Sequence, residues 1–188
     1  MQTKNPQMIS RSLHEQAHRI QESSDEQHLL TSLAPMNILI RSLDRKDVPE
    51  VLAIQQQNPS AAQWKESDYG LLAGQSGNLA LVATEKSEPG STRGFVVFRH
   101  LADQAELLNL AVAPPCQRQG IGRALIEEGS SRLAQAQVQR LFLEVRASNQ
   151  QALRLYHSVG FERHSVRKGY YQNPGEDAYV LRLEIPIF

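Results

Sequence analysis

Between Gln117 and Arg123 the chain reads Gln-Arg-Gln-Gly-Ile-Gly-Arg, with two glycines just ahead of a segment of helical periodicity. That arrangement can hold a phosphate. Glycines let the backbone approach a ligand closely, and the first N–H groups of a helix have no partner within it. Those free donors and the helix dipole attract a diphosphate. Taken alone the string is weak, because glycines before a helix are more often plain turn chemistry. No Gly-Lys-Ser/Thr is present, so this is not a P-loop, and no G-x-G-x-x-G follows a strand. Downstream, Glu144 sits inside Leu-Phe-Leu-Glu-Val, a run otherwise made of core residues. A carboxylate on such a strand is either at its wet end or held where desolvation makes it a better base.

The elements that must position these residues can be read from periodicity. Leu107 to Val112 is an apolar run short enough for a buried strand. After the glycine turn, Ile121, Leu125 and Leu133 fall on one helical face, with Arg132 and Gln135 elsewhere. A strand then runs from Leu141 to Arg146. Ser148 and Gln151 read as caps of a further helix, with Ala152, Leu155, Tyr156 and Val159 on one stripe and Gly160 as a left-handed C-cap. Upstream, Ile38 to Arg41 reads as a first strand. Asp47 and Glu50 have the spacing of a capping box for a helix through Val51, Leu52 and Ile54, which Asn58-Pro59 breaks. Ser60 and Gln63 repeat the pattern for a short helix carrying Trp64, Tyr69, Leu71 and Leu72. Strands follow at Leu79 to Thr84 and Gly94 to His100, linked through the turn chemistry of Glu88-Pro89-Gly90-Ser91. A fourth strand covers Glu106 to Val112, and two final strands lie near Phe161 to Val166 and Ala178 to Ile185. The order β-α-α-β-β-β-α-β-α-β-β predicts an α/β (α+β) fold, a mixed sheet with helices on both faces.

At 188 residues the chain is expected to hold one domain, or one domain and a tail. Residues 1–35 are polar, with Leu13, Ala17 and Ile20 at helical spacing, and read as an appendage to a folded domain over 36–188. Twenty basic and twenty acidic residues cancel, which argues against nucleic-acid or membrane-surface partners, since both need a positive field. A single cysteine, Cys116, rules out an intramolecular disulfide and fits a reducing cytoplasm. No apolar run approaches the ~20 residues of a membrane span, and no secretory signal opens the chain. Six scattered histidines show no metal-ligand spacing, so no metal is expected.

Specificity comes from the order of motifs. The Q-x-x-G-x-G helix is followed by Leu143-Glu144-Val145-Arg146, then Ser148-Asn149-x-x-Ala152-x-x-Leu155-Tyr156 and Gly160-Phe161. This succession resembles the GNAT acyltransferase superfamily, and within it the RimI-type N-terminal acetyltransferases. Arg167-Lys168-Gly169-Tyr170-Tyr171, followed by Glu176-Asp177-Ala178, is similar to the same subfamily. The likeness is dense from about Leu107 to Ile185, diffuse from Asn37 to Leu101 and absent before that.

The resemblance implies a GNAT fold, a mostly antiparallel sheet of about seven strands whose strands four and five splay apart. It implies acetyl-coenzyme A as donor, bound by Leu110, Ala111 and Val112 along its pantetheine, and by Gln117, Arg118, Gln119, Gly120, Ile121, Gly122 and Arg123 at its diphosphate. Asn149 would contact the coenzyme, its rival role being a helix cap. Glu144 would be the general base and Tyr156 the general acid for the departing thiolate, a stripe position that also suits a plain core tyrosine. Tyr170 and Tyr171 would wall a peptide entrance, or else only shield a sheet edge. Trp64 stands where the subfamily has Pro-Trp-Ser, but here the run is Ala61-Ala62-Gln63-Trp64, which bears on the acceptor. Cys116 reads as a loop cysteine beside the coenzyme mouth. The acceptor implied is a protein N-terminal α-amine, whose pKa near ~8 asks far less of a base than the ~10.4 of lysine. A small-molecule amine acetyltransferase and a coenzyme-binding regulatory module without turnover are the other two readings. The protein is expected as a monomer or homodimer.

Overall fold

In the computed structural model of the protein, which describes residues 37–72, 76–86, 88–172 and 174–187, seven strands form one sheet in the order β1-β2-β3-β4-β5-β7-β6. The strands are β1 (Ile38–Ser42), β2 (Asn78–Glu85), β3 (Glu88–Leu101), β4 (Gln104–Val112), β5 (Arg140–Arg146), β6 (Glu162–Tyr171) and β7 (Glu176–Glu184). The helices are α1 (Val48–Gln56), α2 (Glu66–Leu72), α3 (Ile121–Gln135) and α4 (Gln150–Val159). The expected order of elements is the one observed. The polar stretch 1–35 lies outside the described residues, as does Asn173.

Several local expectations give way to tertiary contacts. Asp47 does not cap α1 with its side chain. Its carboxylate is buried and clasped by Arg41, at 2.6 and 2.8 Å, while Asp44 caps the short 3-10 turn that precedes the helix. Glu50 stays within α1, and its carboxylate reaches out to accept the Thr92 N–H of β3 at 2.5 Å. Ser60 and Gln63 do not cap α2, which starts only at Glu66, where Asp68 accepts the Lys65 N–H at 2.7 Å; Gln63 Nε2 instead donates to the Gln55 carbonyl at the end of α1, at 3.2 Å. The segment expected as a turn over Glu88-Pro89-Gly90-Ser91 belongs to β3, with the hairpin reversal nearer Lys86. Only Glu88 and Thr92 pair with β2 there, at Glu85 and Thr84, and the residues between them form an irregularity in the register.

The core has two layers, one on each face of the sheet. On one face α1 and α2 cover Val82, Phe95, Val97 and Ala111 with Val48, Val51, Ile54 and Tyr69. On the other, α3 crosses β2, β3 and β4 and buries Ile121, Leu125 and Leu133, the stripe that the sequence presents, together with Ile126. Each fully buried aliphatic or aromatic side chain contributes about 1.5–3 kcal/mol to the fold. Gly129 sets the spacing of the second layer. A Cβ there would stand 2.3 Å from Cε2 of Phe98. Gly129→Ala should therefore lower stability by about 1–3 kcal/mol through overpacking, read from a denaturant midpoint. Adding Phe98→Leu should return part of the loss, and a Gly129→Ala protein as stable as the parent would refute the close contact.

Candidate functional site

β4 and β5 run parallel but pair only at Gln104–Arg140, Ala105–Leu141 and Glu106–Phe142. Beyond those three pairs the strands part. One cause lies in β4 itself, where the register against β3 slips so that Leu107 faces Phe98 and Asn109 faces Val97, leaving Leu108 as an extra residue. Such a bulge bends and twists its strand. The gap opens a cleft of ≈ 720 Å³ lined by β4 from Leu107 to Val112, the α3 N-terminus, Glu144 to Arg146, Asn149 and Tyr156.

Strand alternation decides what β4 offers this gap. The Ala113 N–H donates to Arg93 of β3 at 2.8 Å, so the groups of Ala111, two residues back, face β3 as well. Leu110 and Val112 then turn their main-chain groups to the cleft. The Val112 carbonyl accepts Asn58 Nδ2 at 3.2 Å and Gln117 Nε2 at 3.1 Å. Gln117 also donates to Asn58 Oδ1 at 3.0 Å and accepts Gln151 Nε2 at 3.3 Å. The side chain of Gln117 is thus a brace that ties β4, the loop after α1 and α4 together.

The two glycines of the turn have different reasons. Gly120, the residue before α3, is left-handed at φ 83° and has open space where a Cβ would go. A Cβ on Gly122 would come 3.1 Å from Leu155 Cδ2, so this glycine lets α3 approach α4. Arg118 is also left-handed, at φ 64°, a strain of about 1–2 kcal/mol for a residue with a side chain. No side chain caps α3, and the N–H groups of Ile121, Gly122 and Arg123 have no acceptor among the described residues. Arg118 and Arg154 line the same end of the cleft without an ion-pair partner among the described residues, and Arg123 has Glu127 at 3.4 Å. Free donors and positive charge make this end suited to a diphosphate.

Glu144 occupies the middle of the opening, half-buried, with its side chain 18% exposed. Arg167 of β6 reaches across β7 and places Nη1 2.7 Å from Oε1 of Glu144. Tyr170 hydrogen-bonds to the same carboxylate, an interaction that holds its phenol proton and raises its pKa above the ordinary range. A parallel set stands beside it. Arg146 lies 4.0 Å from the centre of the Tyr171 ring and 3.2 Å from Glu176 Oε2, while Glu176 Oε1 accepts the Ser148 N–H at 2.5 Å. Burial and then the Glu144 charge raise the Tyr171 phenol as well.

β6 runs on past Val166, the expected end of the strand, and carries the tyrosine pair at its own end. Between Arg167 and Tyr171 the ladder with β7 is irregular, and Gly169 is left-handed at φ 59°. The Asp177 carboxylate fixes this distortion by accepting the Gly169 N–H at 2.9 Å and Lys168 Nζ at 2.8 Å. Tyr171 lines the cleft and Tyr170 packs edge-on against it, with ring centres 5.2 Å apart.

Tyr156 is buried, edge-on to Phe161 at 5.6 Å, and it lines the cleft. Its hydroxyl has no hydrogen-bond partner among the described residues. Burial, with a smaller contribution from Tyr171, raises its phenol well above the usual tyrosine range. Asn149, not Ser148, caps α4, accepting the Ala152 N–H at 3.1 Å, and Asn149 also lines the cleft. Cys116 is buried at the cleft wall. Trp64 is not on that wall. Its ring packs 5.4 Å from Tyr69 against the α1 layer, and Ser60, Ala61 and Ala62 reach the cleft in its place. Tyr69, Gln55 and Asn109 pin this loop down. Tyr69 donates to Gln55 Oε1 at 2.8 Å, and Asn109 accepts the Ala62 N–H at 3.2 Å and donates to the Ala62 carbonyl at 3.0 Å.

Arg167, Arg146, Glu176 and Arg154 were not singled out from the sequence. Strand alternation puts Arg146 on the same face as Glu144 and could have found it. Arg167 could not be found that way, because its strand pairs with β7 and reaches Glu144 only across it. No cluster of three or more His, Cys, Asp or Glu suited to a metal occurs among the described residues. No described helix is long and apolar enough to cross a membrane.

Comparison with known proteins places this geometry among relatives. Residues 46–161 match the acetyltransferase (GNAT) family. The [ribosomal protein bS18]-alanine N-acetyltransferase of Escherichia coli K12 is 36% identical over 148 residues, 78% of this chain and 97% of that protein. The crystal structure of the Escherichia coli ribosomal-protein-S18-alanine N-acetyltransferase superimposes with a TM-score of 0.69 at 35% identity, covering 80% of this chain and 96% of the other. Arabidopsis thaliana NAA60 in complex with acetyl-CoA shares the fold with a TM-score of 0.70 at 20% identity, over 79% and 98% of the two chains.

Proposed function

This chain belongs to the GNAT acetyltransferase family, and from that premise we propose that it acetylates the N-terminal α-amine of a polypeptide, with Glu144 as general base and Tyr156 as general acid. The family transfers acetyl from acetyl-coenzyme A to an amine, and the chain is an N-acetyltransferase of that kind. The acceptor is proposed from the relative named for an alanine of ribosomal protein bS18, which this chain matches over nearly that protein's whole length. The observation that carries the mechanism is that Glu144 and Tyr156 line one cleft, whose far end is the uncapped N-terminus of α3.

The coenzyme, when bound, supplies an acetyl thioester and a thiol leaving group. The N–H groups of Ile121, Gly122 and Arg123 bind its diphosphate, with Arg118 and Arg154 balancing the charge. Leu110 and Val112 present main-chain groups to the pantetheine, and Asn149 contacts it with the amide nitrogen that capping leaves free. Glu144 draws in the acceptor ammonium and takes a proton from it, directly or through water. The neutral nitrogen forms its bond to the acetyl carbon and sheds its second proton to solvent as the carbon–sulfur bond breaks, while Tyr156 gives its proton to the sulfur and is reprotonated from solvent. No acyl-enzyme is needed. Tyr170 and Tyr171 wall the entrance, and Arg167 keeps Glu144 in one rotamer.

The test is thiol release from acetyl-coenzyme A with peptides beginning in Ala, Ser or Met, the same peptides N-blocked with an internal lysine, and small amines. Release confined to free N-termini is expected. Release with small amines alone would move the acceptor to that class, and coenzyme binding with no release on any amine would leave a binding module.

A further inference from the structure

Arg146 lines the cleft two residues along β5 from Glu144, on the same strand face, and the chemistry proposed above gives it no task. Its guanidinium stands 4.0 Å from the centre of the Tyr171 ring, and Nη1 lies 3.2 Å from Glu176 Oε2. Tyr171 and Glu176 face each other as the pair that closes the β6–β7 hairpin at its turn. One side chain of β5 therefore clasps the end of that hairpin. The ladder between Arg167 and Tyr171 is irregular, so regular pairing does not fix the Tyr171 ring. A second arm runs to the coenzyme side. Glu176 Oε1 accepts the Ser148 N–H at 2.5 Å, and the Arg146 carbonyl accepts the Asn149 N–H at 3.0 Å. Hydrogen bonds from Ser148 first, and the Arg146 charge after them, hold the Glu176 carboxyl below its ordinary range, so it is ionised at neutral pH. The turn that presents Asn149 to the cleft hangs from the same residue as the Tyr171 ring.

Resting on the N-terminal reading above, we infer that Arg146 is a positioning residue for both substrates. The flat face of its guanidinium sets the Tyr171 ring at the acceptor entrance, and its pairing with Glu176 sets the turn at Ser148 and Asn149 beside the coenzyme. The two arms ask for different properties. A planar guanidinium can stack on a ring while its edge donates to a carboxylate. A lysine ammonium is a compact point charge that keeps the ion pair but not the flat contact. Arg146→Lys thus removes one arm and spares the other. Glu176→Ala damages both, because the Ser148 N–H loses its acceptor and the guanidinium loses its anchor.

The experiment pairs calorimetric affinity for coenzyme A with kcat and KM for a peptide that has a free N-terminal Ala. Arg146→Lys should raise the acceptor KM about three- to tenfold, the worth of a part-buried contact between a cation and a ring. Coenzyme A affinity should stay at the parent value, and kcat should change little. Glu176→Ala should weaken coenzyme A binding and raise the acceptor KM as well. Tyr171→Leu should raise the acceptor KM, and Arg146→Lys added to it should cost nothing further, because the contact is already gone. Tyr171→Phe keeps the ring and should remain sensitive to Arg146→Lys. An acceptor KM unmoved by Arg146→Lys, a loss that simply adds to that of Tyr171→Leu, or equal shifts in acceptor KM and coenzyme affinity would overturn the positioning role and leave the N-terminal reading intact. A parent protein that turns over small amines alone would overturn that reading and the acceptor arm with it. Calorimetry on Glu176→Ala would then decide the coenzyme arm by itself, with unchanged affinity overturning it.

Discussion

Glu144→Gln is expected to reduce turnover of a free N-terminus at pH 7 by about 10²–10³-fold, the usual worth of a positioned general base. Gln keeps the shape and can still accept from Arg167 and Tyr170, which hold the native carboxylate. The loss should therefore fall on kcat, with coenzyme binding by thermal shift unchanged. Its pH dependence is the diagnostic part. An α-amine of pKa ~8 is about one-tenth neutral at pH 7 and about nine-tenths neutral at pH 9, so about tenfold of the loss should return over that interval. Equal rates for Gln and Glu at pH 7 would take Glu144 out of the mechanism. A loss that does not recover at high pH would assign it to acceptor binding.

The second large effect is at Tyr156. Tyr156→Phe removes one hydroxyl from a side chain that is otherwise packed against Phe161. The hydroxyl has no protein partner among the described residues, so the fold should tolerate its loss. Turnover should fall about 10–10²-fold in kcat, or ~1.4–2.7 kcal/mol of barrier, with coenzyme affinity retained. The raised pKa fixes the sign of the pH effect. A phenol held above its ordinary range stays protonated at neutral pH and beyond ~10, so no alkaline loss of activity below about pH 10 should trace to Tyr156. The same burial favours the neutral phenol in the fold. Its contribution to stability is full below the unfolded value near ~10 and is lost as pH rises through the raised folded value. Full activity of the Phe variant would make Tyr156 a core residue only.

The element order, the uncapped start of α3 and the left-handed Gly160 could be read from the chain because each has a local cause. A buried stripe, a glycine and an apolar run of six leave marks within a few residues. The misreadings share another cause. Asp47, Glu50 and Ser148 all look like parts of helix caps, yet Asp47 and Glu50 and the backbone of Ser148 are taken by Arg41, Thr92 and Glu176 from other strands. Trp64 looks like an entrance residue because of its place in a motif, and the short helix expected from Ser60 begins only at Glu66, because the Gln55–Tyr69–Asn109 hydrogen bonds hold the stretch before it as a loop. The partner of Glu144 was hidden for the same reason. Arg167 lies 23 positions further along the chain and one strand beyond the neighbour of β5. Spacing reports what lies along a helix or strand, and it is silent about what lies across a sheet.

The three-pair seam between β4 and β5 also bears on how the chain comes to be folded. Everything from β1 to β4 is joined antiparallel between neighbours in sequence, and β5 to β7 form a second antiparallel group. Loop closure is short along β2, β3 and β4 and between β6 and β7, whereas β1–β2 and β5–β7 close over helical connections, and the parallel seam is the only strand pairing that links the groups among the described residues. Low-separation contacts form early because they cost little chain entropy, and a parallel crossover forms late. During synthesis the first four strands can therefore assemble as they emerge, with α3 laid across them, before β5 exists. The join to β5 then rests on three residue pairs, and the molecule leaves the rest of that seam open.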